Sequence, residues 1–357
     1  MRRPSFRPSS IAARLVVAGA ALALLPLAGV GTAAADPVAG GNVLNKVTSP
    51  DGSYIEKVES KGDRQLVIYV HSAAMNKTYP VQIQRPADTS APRPSLYLLN
   101  GGGGGVDAAS WQLQTDALQF LGDKNVNVVA PIGGPWSYYA DWRAPDPVLG
   151  VNKWQTYITK ELPPIIDAAL GTNGINAIAG LSTSGTSVLA LAQSAPGLFK
   201  GVAAYSGCAQ IADPIGQQFV KLSVETYGGG DVRNLYGEPN DPMWAANDPV
   251  INAEKLRGTA LYVSSGSGLP GPHENLNDSH IIVQQGSSRE AALANQVIVG
   301  GVIEAAVNYC SHNLANKLNQ IGIPATYSFP PVGTHSWGYW EDDLKRSWPV
   351  LAGSLGI

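Results

Sequence analysis

The residues around Ser182 are those that a serine nucleophile needs. Residues 178–185 read IAGLSTSG, a short apolar run followed by a small-x-Ser-x-small turn and the start of a helical pattern. A nucleophile at a strained strand-to-helix turn requires small residues two positions before and after it, because the backbones approach closely there. Gly180 and Ser184 meet this requirement. Ser184 is the competing nucleophile, but it would put the β-branched Thr186 at a crowded position, so we predict Ser182; a serine that only caps the helix is the remaining alternative.

Five consecutive glycines, residues 101–105, come directly after an apolar run and Asn100. In folds with such a nucleophile turn, a Gly-rich turn after the third strand donates one N–H to the oxyanion, and the residue after the nucleophile donates the other. We therefore predict Gly102 and Thr183 as the two donors. Phosphate binding is disfavoured because no Lys-Ser/Thr follows the glycines. A plain flexible loop remains the alternative.

The chain has five histidines: His71, His273, His280, His312 and His335. In this architecture the nucleophile is followed first by the acid and then by a histidine beyond the last strand. His335 has that position, in a turn directly after the final predicted strand. We predict that it accepts the proton of Ser182 and later returns it.

The acid is not decided by the residues alone. The candidates between the seventh predicted strand and His335 are Glu274, Asp278, Glu290 and Glu304. The carboxylates in loops suit a generic hydrolase. Glu304 would be an acid on an apolar helix turn, which is costly to bury without a partner.

Apolar runs that alternate with helical patterns predict an α/β sheet. We expect the first two strands to form an antiparallel hairpin and the others to be parallel and central. The helices are expected at residues 154–170 (kinked by Pro163 and Pro164), 184–193 and 291–320 (interrupted at Gly300-Gly301). Two Gly/Pro/Asn-rich stretches, residues 227–249 and 266–288, are typical of lids or substrate walls. The expected strands are residues 65–70, 78–84, 95–99, 127–131, 177–180, 202–206, 261–265 and 325–329.

The N-terminus has the layout of a secretory signal peptide over residues 1–35, with four arginines, an apolar run and three alanines. A retained anchor is the alternative, and no later segment is apolar enough to suggest a membrane span. Residues 36–357 are then expected to form one domain. They carry 20 basic and 27 acidic side chains, which argues against nucleic acid or anionic lipid as the main partner.

Cys208 and Cys310 are the two cysteines. Outside the cytoplasm an even pair predicts one disulfide. The histidines are not clustered in sequence and no Cys-x-x-Cys occurs, so neither a metal nor an organic cofactor is predicted.

Several segments, in chain order, resemble the mycolyltransferases, the antigen 85 complex of mycobacteria and its relatives in corynebacteria and nocardiae. The resemblance implies an α/β-hydrolase fold with a central, mostly parallel sheet of about eight strands flanked by helices. It implies transfer of long branched acyl groups between trehalose esters or onto cell-wall polysaccharide, by a secreted or envelope enzyme. The segments are YLLNG (97–101), SYYADW (137–142), KW (153–154), ELP (161–163), GLSTSG (180–185), NDP (247–249), FPP (329–331) and GTHSW (333–337).

The resemblance also implies residue roles. In that family the acid is a Glu that precedes the His of Gly-Thr-His-Ser-Trp by almost the spacing between Glu304 and His335, which favours Glu304. The two oxyanion donors fall on Gly102 and Thr183.

The acceptor site departs from the family pattern. The family's Asp and Arg that hold trehalose are replaced by Asn100 and Gly103, so weaker trehalose binding and larger acceptors, such as a wall glycan or a protein hydroxyl, are expected. Ser336 and Trp337 are further candidate substrate contacts.

Three functions follow from these residues. The first is acyl transfer through Ser182 to a sugar hydroxyl, and the second is ester hydrolysis by the same residues with water as the acceptor. The third is a non-catalytic adhesion or carbohydrate-binding module, which the intact set of Ser182, Glu304 and His335 disfavours.

Overall fold

The computed structural model describes residues 47–357. The predicted signal peptide lies outside the described residues. Within them, one sheet of nine strands has the order β1-β2-β3-β5-β4-β6-β7-β8-β9. The strands are β1 Tyr54–Ser60, β2 Gln65–Ser72, β3 Lys77–Gln84, β4 Ser95–Leu99, β5 Asn127–Pro131, β6 Asn176–Leu181, β7 Phe199–Tyr205, β8 Ala260–Ser264 and β9 Thr326–Ser328.

Strand directions follow the hydrophobic patterns. β2 alternates buried and half-buried side chains and pairs antiparallel with β3, as the predicted hairpin requires. β4, β5 and β6 are buried at every position and pair in parallel, because helices cover both faces of the sheet at its centre. The parallel pairing continues through β7, β8 and β9. The predicted fold class, a mostly parallel sheet flanked by helices, is confirmed.

Two apolar clusters lie on opposite faces of the sheet. One packs residues of α4, α5 and α10 against the strands, and the other packs α1, α2 and α11. The α-helices are α1 Trp111–Gln114, α2 Ala117–Phe120, α3 Trp154–Thr156, α4 Leu162–Leu170, α5 Thr183–Ser194, α6 Pro214–Lys221, α7 Val232–Leu235, α8 Pro242–Ala246, α9 Arg289–Asn295, α10 Gly301–Gln320 and α11 Trp337–Leu355. Short 3₁₀ turns cover Leu121–Asp123 and Ala253–Leu256.

Strand β1 is absent from the sequence prediction. Its segment, YIEKVES, buries little more than Ile55 and carries charges elsewhere. Charged side chains are common on edge strands, where they prevent pairing with other chains. The strand forms because its backbone pairs antiparallel with β2. A hydrophobic pattern does not predict such pairing.

The predicted helix breaks appear as π-helical turns. Tyr157–Glu161 joins α3 to α4, and Gln296–Gly300 joins α9 to α10. Pro163 and Pro164 have no N–H to donate to the preceding turn, so the helix widens there without ending. A third π-helical segment, Leu222–Tyr227, follows α6.

The joined helix Arg289–Gln320 is long and apolar enough, by length and composition, to cross a membrane. The expectation that no segment after residue 35 has this composition is therefore wrong. In the fold the helix buries Cys310, Leu314 and Leu318 against the domain. Part of its apolar character thus serves the core, and composition alone does not make it a membrane span.

The first of the two stretches expected to form lids or walls is ordered. Side chains from α6, α7 and α8 pack with Tyr138 and Trp142 into a third apolar cluster beside the main core. This cluster fixes one wall of the cavity described next. Residues 266–288 form no helix or strand.

Candidate active site

Ser182 stands at the turn between β6 and α5 with φ of 57° and ψ of −125°. A positive φ is strained for a residue with a Cβ and is typical of functional turns. Gly180 permits the turn, since a Cβ there would come within 2.6 Å of Ser184 Oγ. The strain presents the Ser182 side chain to the cavity.

Ser182, His335 and Glu304 form one hydrogen-bonded chain. His335 Nε2 lies 2.8 Å from Ser182 Oγ, and His335 Nδ1 lies 2.7 Å from Glu304 Oε2. Such an arrangement can move the serine proton to the imidazole while the carboxylate stabilises the imidazolium. The structure thus brings together three residues that are far apart along the chain: Glu304 precedes His335 by 31 positions, and Ser182 precedes it by 153.

Ser184 has a different environment. Its hydroxyl accepts a hydrogen bond from the N–H of Leu181 and donates to the carbonyl oxygens of Leu181 and Leu99. The side chain is fully buried. Ser184 ties β6 to β4 below the turn.

The carboxylate of Glu304 is 1% exposed, and its second oxygen is also satisfied. Oε1 accepts hydrogen bonds from Ser206 Oγ at 2.8 Å and from the N–H of Gly266 at 2.7 Å. Ser206 in turn accepts from Trp340 Nε1 at 3.0 Å. No Lys or Arg in the described part of the chain pairs with Glu304, so these neutral donors satisfy the buried carboxyl group.

Ser206, Gly266 and Trp340 were not predicted as site residues. Ser206 directly follows β7, beside the nucleophile turn, and has φ of 48°. Its place at the carboxyl end of a strand next to β6 is the sequence signal that points to it.

The glycine turn and the start of α5 meet at Ser182. Gly102 and Thr183 line the same cavity as Ser182 and His335. Among residues 47–357 neither N–H has a backbone or side-chain acceptor. The ring of Trp136 covers Gly102, and the backbone N–H of Trp136 donates to the Gly102 carbonyl oxygen at 2.6 Å, which fixes the turn. Two free N–H groups in a fixed turn can bind an oxyanion.

The cavity at this point has a volume of about 270 Å³ and walls that are mainly apolar. Its apolar side chains include Trp136, Tyr138, Phe219, Leu222, Ile303 and Val307. A chamber of this kind suits an apolar ligand beside Ser182.

The predicted substrate contacts are only partly brought to the cavity. Gly103 and Trp337 line it, whereas Asn100 and Ser336 do not. Asn100 is 1% exposed and its Oδ1 accepts a hydrogen bond from the N–H of Trp111 at 3.0 Å. Ser336 is buried at the start of α11.

Asp107 lies beside Gly103 and places a charged side chain where Gly103 itself provides none. It lines the cavity, and a Cβ at Gly103 would collide with its carboxylate. The side chain is exposed at the cavity mouth. Its sequence signal, one acid after a glycine run, was too weak to identify it.

A second buried carboxylate lies behind the site. Asp343 on α11 accepts a hydrogen bond from Ser264 Oγ at 2.7 Å. The loss of hydration on burial raises the pKa of Asp343 to about 7, against the lowering effects of Ser264 and Arg346. The backbone of Ser264 also accepts from the N–H of Ser206, so this carboxylate is two hydrogen-bonded residues away from Glu304.

The predicted disulfide is confirmed. It joins Cys208, just after β7, to Cys310 in the middle of α10, with 5.0 Å between the two Cα atoms. It connects the helix of Glu304 to the segment that follows Ser206.

Comparisons with known proteins identify the family of this chain. A family model described as "Putative esterase" matches residues 72–350. The diacylglycerol acyltransferase/mycolyltransferase Ag85B of Mycobacterium leprae is 30% identical over 295 residues, which cover 81% of this chain and 83% of the relative. The corresponding Ag85A of Mycobacterium ulcerans is 30% identical over 298 residues, 81% of each chain. The chain belongs to the mycolyltransferase branch of this esterase family.

Solved structures share the fold of this mycolyltransferase relative. MPT51 (FbpC1) of Mycobacterium tuberculosis superimposes with a TM-score of 0.64 at 24% identity, over 80% of this chain and 98% of that chain. An S-formylglutathione hydrolase from Agrobacterium tumefaciens gives 0.59 at 15% identity, over 85% and 99%. Family and fold together make the protein an enzyme of the acyltransferase or esterase class.

Proposed function

We propose that the protein transfers a long acyl chain from an ester donor to a hydroxyl acceptor through an acyl-enzyme on Ser182. The observation that carries this proposal is the chain of hydrogen bonds from Ser182 through His335 to Glu304 at an apolar cavity. A non-catalytic adhesion or carbohydrate-binding function would not require a strained serine in contact with a histidine.

In the first half-reaction, Ser182 Oγ attacks the carbonyl carbon of the donor ester and His335 Nε2 takes the hydroxyl proton. The carbonyl oxygen becomes an oxyanion, which the N–H groups of Gly102 and Thr183 stabilise. A donor of this kind typically contributes about 3 kcal/mol to the transition state. When the intermediate collapses, the alcohol leaves with the proton from His335 and the acyl group remains on Ser182.

In the second half-reaction, an acceptor hydroxyl attacks the acyl carbon. His335 takes its proton, the oxyanion forms again at the same two N–H groups, and collapse releases Ser182 with the proton returned. Glu304 keeps the imidazole in the productive tautomer throughout. Every atom transferred comes from the donor or the acceptor, so the reaction needs no cofactor.

The donor is a lipid ester of trehalose or a related glycolipid, of the mycolic type that the relatives' name describes. The apolar walls of the cavity support an acyl chain. The acceptor is a sugar hydroxyl, with wall polysaccharide or a protein hydroxyl as larger alternatives. Asp107 supports a sugar at the mouth, because a carboxylate binds hydroxyl groups by charge-assisted hydrogen bonds.

The site of action is the cell envelope or the medium. The leader-like residues 1–35 and the disulfide support export, since disulfides persist in oxidising compartments. In this proposal, cleavage leaves residues 36–357 as a single catalytic domain.

Ester hydrolysis is the second candidate, and the match to an esterase family favours it. The chemistry is the same except that water attacks the acyl-enzyme. The two functions differ in their product.

The experiment is incubation of the enzyme with trehalose monomycolate, followed by separation of the lipids. Formation of the diester supports transfer, and formation of the free acid supports hydrolysis. If neither product forms, both proposals are contradicted. Ser182→Ala should reduce the rate by at least about four orders of magnitude. Ser184→Ala is the matched control for folding around the turn. A fluorophosphonate probe should label Ser182, and label on Ser184 instead would contradict the assignment.

A further inference from the structure

Residues 266–288 bring two histidines and an aspartate to one point. His273 Nδ1 lies 2.7 Å from Asp278 Oδ2, and His280 Nδ1 lies 2.7 Å from Asp278 Oδ1. One donor atom from each of the three residues lies within 4.8 Å of the others. The side chains are 10–17% exposed, so the cluster belongs to the folded loop and not to its solvated surface.

Carboxylates on α11 hold the other nitrogen of each ring. His280 Nε2 lies 3.1 Å from Glu341 Oε2, and His273 Nε2 lies 3.3 Å from Asp342 Oδ2. Metal-binding histidines usually donate their second N–H to a carboxylate, which fixes the tautomer and directs the free lone pair at the metal. With that tautomer, both Nδ1 lone pairs face the carboxylate of Asp278. The lone pairs of the two Nδ1 atoms and the carboxylate oxygens repel each other, whereas a cation bound between them attracts all three.

The fold makes room for this arrangement. A Cβ at Gly338 would collide with the ring of His273, so α11 carries a glycine where the ring packs. The same ring meets Tyr339 edge-on, with 4.7 Å between centroids. The imidazole therefore packs against two consecutive residues of α11.

We propose that His273, Asp278 and His280 form a binding site for a divalent transition metal, Zn²⁺ in the first instance, with a fourth position for water. Two imidazole nitrogens and one carboxylate oxygen favour zinc over the oxygen-binding Ca²⁺ and Mg²⁺. Bonds of about 2.0 Å to a tetrahedral zinc place two donor atoms roughly 3.3 Å apart. Each Nδ1 must therefore move away from the Asp278 oxygen that now lies 2.7 Å from it, which side-chain rotation in a loop permits. The site is not predicted from the sequence, because its histidines occur in no standard zinc motif.

The metal would connect the loop to α11 and, through the loop, to the turn of His335. Glu274, in the same loop, accepts hydrogen bonds from Thr334 Oγ1 at 2.6 Å and from Gln296 Nε2 at 2.8 Å. Thr334 directly precedes His335. The site therefore stabilises the surroundings of the active-site turn without touching the substrate, and it does not depend on which acyl group is transferred.

The experiment is calorimetric titration of ZnCl₂ into untagged protein that has been stripped with EDTA and dialysed. We expect one zinc ion per chain. His273→Gln and His280→Gln should each weaken binding by at least about a hundredfold, and Glu341→Gln and Asp342→Asn by roughly ten- to a hundredfold. His71→Gln, a histidine on β2 outside the cluster, should bind zinc as the unmodified protein does. Excess zinc should raise the Tm of the unmodified protein by about 5 °C and that of His280→Gln by much less.

X-ray absorption at the zinc edge on the unmodified protein keeps the proposal testable if a variant fails to fold. It should show two nitrogen ligands and at least one oxygen ligand. Absence of stoichiometric binding, or binding that both histidine substitutions leave unchanged, would overturn the proposal. The cluster would then be a set of hydrogen bonds between imidazoles and carboxylates.

Discussion

At the scale of single residues, two strained serines organise the site. Ser182 and Ser206 follow neighbouring strands, and both have positive φ. One presents its hydroxyl to His335, and the other donates its hydroxyl proton to Glu304. Positive φ at a residue with a Cβ costs about 1–3 kcal/mol and persists where the surrounding fold imposes it. The packed strands on either side impose it here.

The role of Glu304 can be tested by removing its charge while keeping its shape. Glu304→Gln should lower kcat by about three to four orders of magnitude, because an amide cannot stabilise the imidazolium and favours the wrong tautomer of His335. Steady-state rates on a p-nitrophenyl ester measure this. Glu290→Gln, an exposed glutamate on α9, is the matched control and should keep the full rate. A normal rate for Glu304→Gln would return the acid to one of the loop carboxylates.

The role of Asp107 concerns the acceptor. Asp107→Asn should raise the apparent KM for a trehalose acceptor by about ten- to a hundredfold, since a hydrogen bond to a charged group contributes about 1.5–3 kcal/mol. The rate of Ser182 acylation should not change. Burst kinetics separate the two steps. Asp63→Asn, an exposed aspartate between β1 and β2, is the control, and an equal KM in both variants would place the sugar elsewhere.

At the scale of elements, α10 decides where the acid lies. The helix presents Glu304 on its buried side, while the bond from Cys310 to Cys208 fixes it against the segment after β7. The π-helical turn at Gln296–Gly300 precedes it. The N–H of His335 donates to the carbonyl oxygen of Gly300. Glu304 and His335 are thus both tied to the start of one helix.

Removal of the disulfide should destabilise the fold. The bond joins residues separated by 102 positions, and closing a loop of that length contributes up to about 4–5 kcal/mol in the chain-entropy model. Cys208→Ala with Cys310→Ala should lower the midpoint of urea unfolding and reduce kcat through the position of Glu304. Thiol titration of the unreduced, denatured protein should detect no free thiol. Two titrated thiols would show that the purified protein lacks the bond, and an unchanged midpoint would show that it does not stabilise the fold.

At the scale of the whole molecule, the sheet joins two buried carboxylates from different helices. Glu304 of α10 and Asp343 of α11 both meet the ends of β7 and β8, through Ser206 and Ser264. Glu304 has an imidazole partner, whereas Asp343 is buried beside hydroxyl groups, with the half-exposed Arg346 at 3.5 Å. Burial outweighs the guanidinium and raises the pKa of Asp343 to about 7. Asp343 therefore couples global stability to pH.

The sign of this coupling is fixed by the direction of the pKa shift. Asp343 releases its proton near pH 4 in the unfolded chain but near pH 7 in the folded one. Stability contributed by the neutral form is complete below about pH 4 and is lost as the pH rises to 7.

Asp343→Asn should remove this loss. Its free energy of unfolding relative to the unmodified protein should rise by up to about 4 kcal/mol between pH 4 and pH 7. Urea unfolding at several pH values measures the difference, in which the other titrating groups cancel. Asp342→Asn, the half-buried aspartate next to it on the same helix, should not reproduce the trend. A difference that stays constant with pH would refute the coupling.

The sequence by itself determined the sheet centre and predicted two residues of the candidate site. Strands such as β4 and β5 were predicted to the residue, because continuous apolar runs between turn residues leave few alternatives. Ser182 and His335 followed from small neighbours and chain order. The cysteine pair followed from its parity.

Only the tertiary structure decided the rest, because it depends on contacts between distant segments. Local pattern could not show that Asn100 is buried under the glycine turn, that Asp107 lies over Gly103, or that Ser206 supports Glu304. The edge strand β1 exists through pairing alone. Residue types alone left four candidates for the acid. In the structure, Glu304 is the candidate that is buried in contact with His335. A side chain's partner is set by the fold, whereas its type is set by the sequence.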